Sequence, residues 1–319
     1  MKRFASVIWL ITIVGIIHHS YAQGCCTAGS STFGGLERGI SKEGTLNLGL
    51  GFINTSLNAT YYGREKISDP LNRISNVSSF NAEIEYGLAA GVSVLIVGNF
   101  SIKNRETTVR SSIDNSKEEL NFEGKGVGDL IITGKYEIIT PTILSSLGLT
   151  IGGGVKLPVG SYTQEVAGSR LAIDLQPGTG STDVLLWANF YKGFQPLNFA
   201  LILNSLYRYA GSNLDGYRFG DELIMTFGGE YYIEDYLILS SSLRFRFANK
   251  DFWGGRFLPS TGGAYVDFTP GLVYTEKLYN LKAFIQLPVY RNVQGIQLTT
   301  SVVVGAELLF KFNLIKENR

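Results

Sequence analysis

The sequence contains few residues of the kinds that build catalytic and metal sites. Its 319 residues include two histidines and two cysteines. Both histidines, His18 and His19, lie in a segment that we expect to be removed, so the mature chain has none. That absence excludes Ser-His-Asp and Cys-His catalysis and histidine-ligated metals. The adjacent Cys25 and Cys26 are too few for a structural zinc site. We therefore expect no enzyme, metal or cofactor, with an acid-pair hydrolase as the least favoured alternative.

The sequence also lacks a charge excess and a long internal apolar run. Its 28 Lys and Arg balance 27 Asp and Glu, giving a net charge of +1. Nothing in this balance indicates a nucleic-acid partner. No stretch beyond the N-terminus approaches 18 consecutive apolar residues, which excludes a membrane-spanning helix. If the protein lies in a membrane, it must cross with strands.

The N-terminus has the layout of a secretory signal, predicted over residues 1–22. Lys2 and Arg3 precede the apolar run "FASVIWLITIVGII", and Ser20 and Ala22 are the small residues before a cleavage site at Gln23. A lipoprotein would instead be cleaved before Cys25 and acylated there. "AQG" matches that signal poorly, so cleavage before Gln23 is favoured and acylated Cys25 is the alternative.

Beyond residue 42 the dominant pattern has a period of two. "SFNAEIEYGLA" alternates apolar and polar residues, as do "SSLRFRFAN" and "VVVGAELLFKF". Successive strand side chains point to opposite faces, so each segment has one apolar and one polar face. About twelve such segments are predicted, each of membrane-strand length: 43–62, 78–88, 92–109, 124–139, 147–158, 181–193, 198–210, 220–233, 236–249, 264–276, 280–292 and 297–312.

The connections between these segments alternate in length. Short ones such as 89–91 and 194–197 alternate with long ones such as 110–123 and 159–180, and only 293–296 breaks the pattern. Outer-membrane barrels have short periplasmic turns and longer extracellular loops. The sequence thus predicts an all-β fold, a closed antiparallel transmembrane β-barrel of about twelve strands over residues 43–319, in the bacterial outer membrane.

Charged residues fall on the polar face of these strands, where we expect them to line the lumen. Charges on the lipid face would cost about 2–4 kcal/mol each near the midplane for Arg or Lys. The favoured interpretation is that they pair with each other and fill a narrow lumen; the alternative is that they line a polar passage. The candidates are Glu83, Glu85, Lys135, Lys156, Glu230, Arg244, Arg246 and Glu307.

Two prolines lie inside consecutive predicted strands. Pro270 and Pro288 lack the backbone N–H of a ladder hydrogen bond. With a turn near Tyr279, Pro270 is expected opposite about residue 289, which places both defects at similar height. One hypothesis is a lateral gap in the wall that admits an apolar ligand; the favoured alternative is a pair of compensated β-bulges.

Three stretches carry a resemblance to a known family: "GVGDLIITGKYEI" at 126–138, "LGLTIGGGVKLPVG" at 147–160 and "LQPGTGSTDVLLWANFYKG" at 175–193. They resemble the outer-membrane barrels of the meta-pathway of phenol degradation, distant relatives of the long-chain fatty-acid transporters. The resemblance implies an outer-membrane channel for hydrophobic or aromatic small molecules, and an N-terminal segment inside the lumen. Residues 23–42 are the expected plug, with Cys25 and Cys26 at its start in an oxidising compartment.

Two functions follow as hypotheses. The first is passive uptake of hydrophobic or aromatic small molecules, with membrane lipid and such a substrate as partners. The second is a structural or partner-binding barrel without transport, a subunit of an envelope assembly with another envelope protein as partner. Conductance and solute uptake would distinguish them.

Overall fold

The computed structural model describes residues 36, 38–69, 71–110, 117–142 and 145–314. Apart from short hairpins and two single-turn 3₁₀ helices in the connections, these residues form long strands. No helix among them is long and apolar enough to cross a membrane. The long strands are β1 Thr45–Gly63, β2 Ile74–Ala89, β3 Val92–Arg110, β4 Lys117–Val127, β5 Leu130–Ile139, β6 Leu147–Leu157, β7 Asp183–Phe194, β8 Phe199–Tyr209, β9 Glu222–Glu234, β10 Leu237–Ala248, β11 Gly263–Thr275 and β12 Tyr279–Asn313.

These strands form one antiparallel sheet that closes on itself. Each strand pairs with its neighbours in chain order, except that β4 and β5 both pair with β3 and only β5 pairs with β6. The last strand, β12, returns to pair with β1. The closing register sets Leu46 opposite Phe312 and Leu50 opposite Leu308. Closure removes the free strand edges that an open sheet would leave. The predicted closed, antiparallel, all-β barrel is therefore confirmed.

The described residues cross the wall twelve times, although β12 makes two of these crossings and β4 and β5 together make one. β12 turns back on itself: residues 280–293 pair with β11 and residues 297–313 pair with β1. The Lys311 amide donates to the Leu278 carbonyl at 2.8 Å, so the two arms lie side by side. β4 and β5 pair with successive parts of β3 and together make one crossing.

The crossing made by β4 and β5 corrects a predicted boundary. We expected one strand over 124–139 after a long loop at 110–123. The strand instead begins at Lys117 and is interrupted at residues 128–129. The first part, "KEELNFEGK", has only Leu120 and Phe122 on its apolar face, among five charged residues. This weak apolar signal is why no strand was predicted before residue 124.

The two faces of the wall have opposite polarity. On β2 the buried, inward residues include Asn81, Glu83 and Glu85, whereas the outward Phe80 and Ile84 are about half exposed. This is the inverse of a soluble protein and is typical of a barrel surrounded by lipid.

The two rims of the barrel differ in their connections. At the short-turn end, β2 and β3 are joined by residues 90–91 and β9 and β10 by residues 235–236. At the long-loop end, β6 and β7 are joined by residues 158–182, β8 and β9 by 210–221, and β10 and β11 by 249–262. The β12 turn, with Gly295 at φ +71°, is the predicted short exception at this end.

Candidate functional site

A cavity of about 540 Å³ lies inside the barrel, and we call it the shaft. At the short-turn end Glu137, Pro141 and Asn280 line it, and it extends towards Arg246 and Arg291 near the long-loop end. Much of its wall consists of uncharged hydrogen-bonding side chains on β7–β12: Asn189, Asn204, Thr226, Ser240, Ser242, Thr269, Gln286 and Thr300.

Part of the chain before β1 lies inside the barrel. Arg38 forms ion pairs with Glu83 on β2 and with Glu307 on β12, the latter at 2.6 Å between N and O. Leu36 is buried in an apolar cluster with inward residues of the wall, including Ile53 and Trp187. One short segment thus contacts opposite parts of the barrel wall.

Further hydrogen bonds attach the same segment to β2, β5 and β7. The Lys135 ammonium donates to the Gly39 carbonyl at 3.1 Å and lies 3.3 Å from Glu85. The Glu85 carboxylate accepts the Ser41 amide at 3.1 Å. The Trp187 indole N–H donates to the Leu36 carbonyl. Four of the predicted lumen residues therefore surround residues 36–41: Glu83, Glu85, Lys135 and Glu307.

Two other predicted residues belong to a chain of ion pairs near the long-loop end, which we call the ion belt. Lys156 lies 3.3 Å from Asp183, and Asp183 lies 3.3 Å from Arg208. Glu222 continues the chain, at 3.1 Å from Arg208 and 2.8 Å from Arg246. The belt crosses the inner face of β6–β10. Breaking a buried pair of this kind leaves an uncompensated charge, so its members hold each other in place.

The remaining two predicted lumen residues line the shaft itself. Glu230 accepts a hydrogen bond from the Tyr232 hydroxyl at 3.2 Å. Arg244 lies on β10, opposite Thr226 on one side and Asp267 on the other. The structure thus divides the eight predicted residues among the N-terminal segment, the ion belt and the shaft.

Sequence reasoning missed Arg38 and Trp187, whose roles depend on the path of the segment before β1. It also missed Thr179, which meets Asp129 and Lys156 near the long-loop end. Asp129, Lys156 and Thr179 each come from one of the three stretches that carry the family resemblance. That resemblance was the available signal for this contact.

A buried carboxyl group strengthens the long-loop end. Asp251 accepts the Tyr217 hydroxyl at 2.5 Å and the Gly220 amide at 2.8 Å. Burial raises the pKa of the Asp251 carboxyl above its ordinary value, and these hydrogen bonds act in the opposite direction without cancelling it. Two loops are joined here through a single side chain.

The two prolines flank an irregular stretch between β11 and β12. From the long-loop end, β11 and β12 pair as far as Phe268 opposite Leu287, with one register shift between Val266 and Asp267. Thr269 and Pro270 are omitted from this pairing, which resumes at Gly271 opposite Phe284. We call this omission the ladder break. On its other side Pro270 pairs with Ser241 of β10.

The second proline is offset from the first. Pro288 lies opposite Asp267, where the register shifts, rather than near Pro270. The expectation that Pro270 faces about residue 289 at the same height is therefore wrong, because Thr275 pairs with Asn280 and the turn is centred about two residues earlier than predicted. Cys25, Cys26 and the predicted signal lie outside the described residues.

A closed antiparallel barrel with an apolar outer face, a polar interior, short turns at one rim and long loops at the other has the architecture of outer-membrane β-barrel proteins. The described fold assigns the chain to this class. In this class the short-turn end faces the periplasm and the long-loop end faces the cell exterior.

Comparison with known proteins identifies similar structures but no sequence family. No protein-family model and no curated protein matches the sequence. The chain is similar to the COG4313 outer membrane channel from Pseudomonas putida F1, with a TM-score of 0.64 and 14% identity over 88% of this chain and 98% of that chain. The CymD monoaromatic hydrocarbon channel has a TM-score of 0.43 and 10% identity over 87% and 90%. At these identities the likeness is one of fold.

Proposed function

We propose that the protein is an outer-membrane channel for passive uptake of hydrophobic or aromatic small molecules. The observation that carries the proposal is the position of the ladder break beside the shaft. Thr269, Phe284 and Gln286 line the shaft and belong to the strand stretches at the break. The shaft and the ladder break are therefore next to each other.

The outer side of the break suits an apolar solute. The outward residues around it are Leu272, Ile285 and Leu287, each 43–47% exposed. A molecule dissolved in the bilayer would contact these side chains first. Because backbone groups without ladder partners are costly in hydrocarbon, separating the strands here costs less than elsewhere in the wall.

The two ends of the barrel give this route a direction. The ion belt and the long loops lie at the extracellular end, and residues at the periplasmic rim line the other end of the shaft. The N-terminal segment is proposed to be a plug over residues 23–42, and its described residues, 36 and 38–42, contact mainly the β1–β7 side and β12. A solute that enters through the break would leave towards the periplasm. The COG4313 channel and the monoaromatic hydrocarbon channel share the barrel fold, which agrees with a channel role.

The double variant Pro270→Val, Pro288→Val tests the lateral route. Valine supplies the missing backbone donors and favours a strand, so we expect the ladder to close and uptake to fall several-fold. Uptake of a fluorescent aromatic probe by proteoliposomes containing the purified barrel measures this.

Pro196→Ala is the matched control, because Pro196 lies in the short turn between β7 and β8 at the periplasmic rim and not in β11 or β12. It should leave uptake unchanged. Wild-type uptake by the double variant, with the barrel intact by heat-modifiable gel migration, would contradict the lateral route.

The second function, a structural or partner-binding barrel without transport, has its own support. The Arg38 contacts and the ion belt place ion-paired side chains at two levels of the lumen. Such a barrel would show neither conductance in planar bilayers nor probe uptake, and an envelope protein would co-purify with it. Measurable uptake by the wild type would reject this function.

A further inference from the structure

Three extracellular connections pack against each other and form what we call the cap. It consists of residues 158–182, 210–221 and 249–262. Ile173 from the first connection and Leu258 from the third pack against a buried cluster of Ala210, Tyr217 and Phe219. The cap therefore has a small apolar core of its own.

The first connection of the cap lies within the barrel mouth. The Lys103 ammonium, on the inner face of β3, donates to the carbonyls of Gln176 at 2.7 Å and of Asp174 at 3.2 Å. Arg105, also inward, forms an ion pair with the Asp174 carboxylate at 2.5 Å. Because these side chains point into the barrel, residues 173–176 lie between the walls.

Lys156 joins the cap to the wall at its opposite side. Its Nζ lies 2.7 Å from the Asp129 carboxylate and 3.3 Å from that of Asp183. It also contacts the Thr179 hydroxyl and donates to the Ser181 carbonyl at 2.8 Å. One ammonium thus binds the β4–β5 interruption, the end of the 158–182 connection and the start of β7.

The Thr179 end of the connection is fixed to Asp129 as well. The Asp129 carboxylate accepts both the amide and the hydroxyl of Thr179, at 3.1 and 2.5 Å. The two ends of the connection press together at Gly160 and Gly178, where a Cβ added to Gly178 would lie 2.5 Å from the Gly160 backbone. Only glycine allows that approach.

The same lysine begins the ion belt that reaches the top of the shaft. Asp183 pairs with Arg208, which pairs with Glu222. Glu222 pairs in turn with Arg246, and Arg246 lines the shaft. The attachment of the cap and the lining of the upper shaft therefore share one set of ion pairs.

We propose that Lys156 is the pin of an extracellular gate: while its ammonium bridges Asp129, Asp183 and the cap, the shaft is closed to the medium. Releasing the pin frees the 158–182 connection and opens a polar route into the shaft. This route runs through the barrel mouth, so it is separate from the lateral route through the wall and is the one open to water-soluble solutes.

The variant Lys156→Met in the full mature chain tests the gate. Methionine keeps most of the side-chain volume but leaves two buried carboxylates facing each other, so the cap should detach. We expect a several-fold larger single-channel conductance in planar bilayers. Arg170, the one lysine or arginine within 158–182, should be cleaved by trypsin roughly a hundredfold faster as local opening increases.

Lys125→Met is the matched control, because Lys125 is exposed and pairs with exposed Glu123 at 3.0 Å. It should change neither readout. If Lys156→Met does not give a folded barrel, Thr179→Val removes the hydroxyl that contacts both Lys156 and Asp129 and should change both readouts in the same direction. Lys156→Arg, which keeps the positive charge, should stay closed.

Three outcomes would overturn the gate. In a folded Lys156→Met or Thr179→Val barrel, wild-type conductance with faster Arg170 cleavage means that the released cap is not the barrier. Wild-type values for both readouts mean that Lys156 does not hold the cap. A loss of aromatic-probe uptake with unchanged conductance means that the residue acts on the lateral route instead.

Discussion

Single cationic side chains make the most consequential contacts inside this barrel. Arg38 joins the segment before β1 to carboxylates on the two strands that flank β1, as Lys156 joins the cap to two others. In each case removing the cation leaves two acids close together in a poorly hydrated space. Such sites are more sensitive to loss of one partner than exposed ion pairs are.

Arg38→Met should therefore release the N-terminal segment from the lumen. The substitution removes the anchor of the segment. It also leaves the Glu83 and Glu307 carboxylates, whose side chains are 1% and 6% exposed, to repel each other with no cation between them. We expect the loss to cost at most about 3–5 kcal/mol and the conductance of the barrel in planar bilayers to rise.

The triple variant Arg38→Met, Glu83→Gln, Glu307→Gln separates the two effects. It should recover much of the stability that the single variant loses, measured by thermal unfolding in detergent, while keeping the raised conductance. A single variant with wild-type conductance would show that the segment does not limit flow.

Among the elements, the connection between β1 and β2 is held by one carboxylate. Asp69 accepts hydrogen bonds from the Thr60 hydroxyl at 2.8 Å, the Leu71 amide at 2.9 Å and the Arg73 guanidinium at 2.8 Å. Burial acts to raise the pKa of Asp69, but these hydrogen bonds outweigh it and hold that pKa below the ordinary 3.8.

The connection at residues 64–73 should become less ordered as the pH falls and should not change as it rises. Because the folded pKa is depressed, the stabilisation is complete above the unfolded pKa of about 3.8 and is lost as pH falls through the lower folded value. Hydrogen exchange of residues 64–73 should therefore be constant from neutral pH to about 4.5 and accelerate in stronger acid, after correction for intrinsic rates.

Asp69→Asn provides the comparison for this pH series. It should exchange faster than the wild type at neutral pH and show no further acid dependence in these residues. Equal exchange in both proteins at pH 7 would contradict a role for the carboxylate in ordering this connection.

The sequence predicted elements well where lipid imposes a two-faced pattern and poorly where it does not. β7 was expected at 181–193 and lies at Asp183–Phe194, because its outward face is apolar. β4 was missed over residues 117–123, where Leu120 and Phe122 are the only apolar residues. The offset of Pro288 from Pro270 depends on the position of the β11–β12 turn, which the sequence placed about two residues too late.

The sequence predicted that the interior of the barrel is polar, but it did not predict which side chains pair with each other there. Alternation alone placed Glu83, Lys135 and Arg246 on one face. It could not reveal that Arg38 reaches Glu307 across 269 positions of sequence, because such contacts arise only when the barrel closes.

For the whole molecule, the structure describes a barrel whose lumen is occupied at two levels by buried ion pairs. Buried pairs are screened by salt much less than exposed ones. The cap and the N-terminal segment should therefore remain in place over a wide range of ionic strength.

Raising salt from about 0.1 M to about 1 M should thus increase single-channel conductance no more than it increases the conductivity of the solution. Planar-bilayer recordings of the wild-type barrel at several salt concentrations measure this. A conductance that rises faster than solution conductivity would indicate that the ion pairs dissociate.

The barrel closes at a seam whose outer end is level. Tyr62 and Gly63 at the end of β1 pair with Ile296 and Val293, on either side of the β12 turn at Gly295. Arg64 lies over the Tyr290 ring, 5.5 Å from its centroid, so the start of the 64–73 connection and the β12 turn form one continuous surface at the cell exterior. An antibody raised against residues 64–67 should therefore compete on intact cells with one raised against the turn around Gly295.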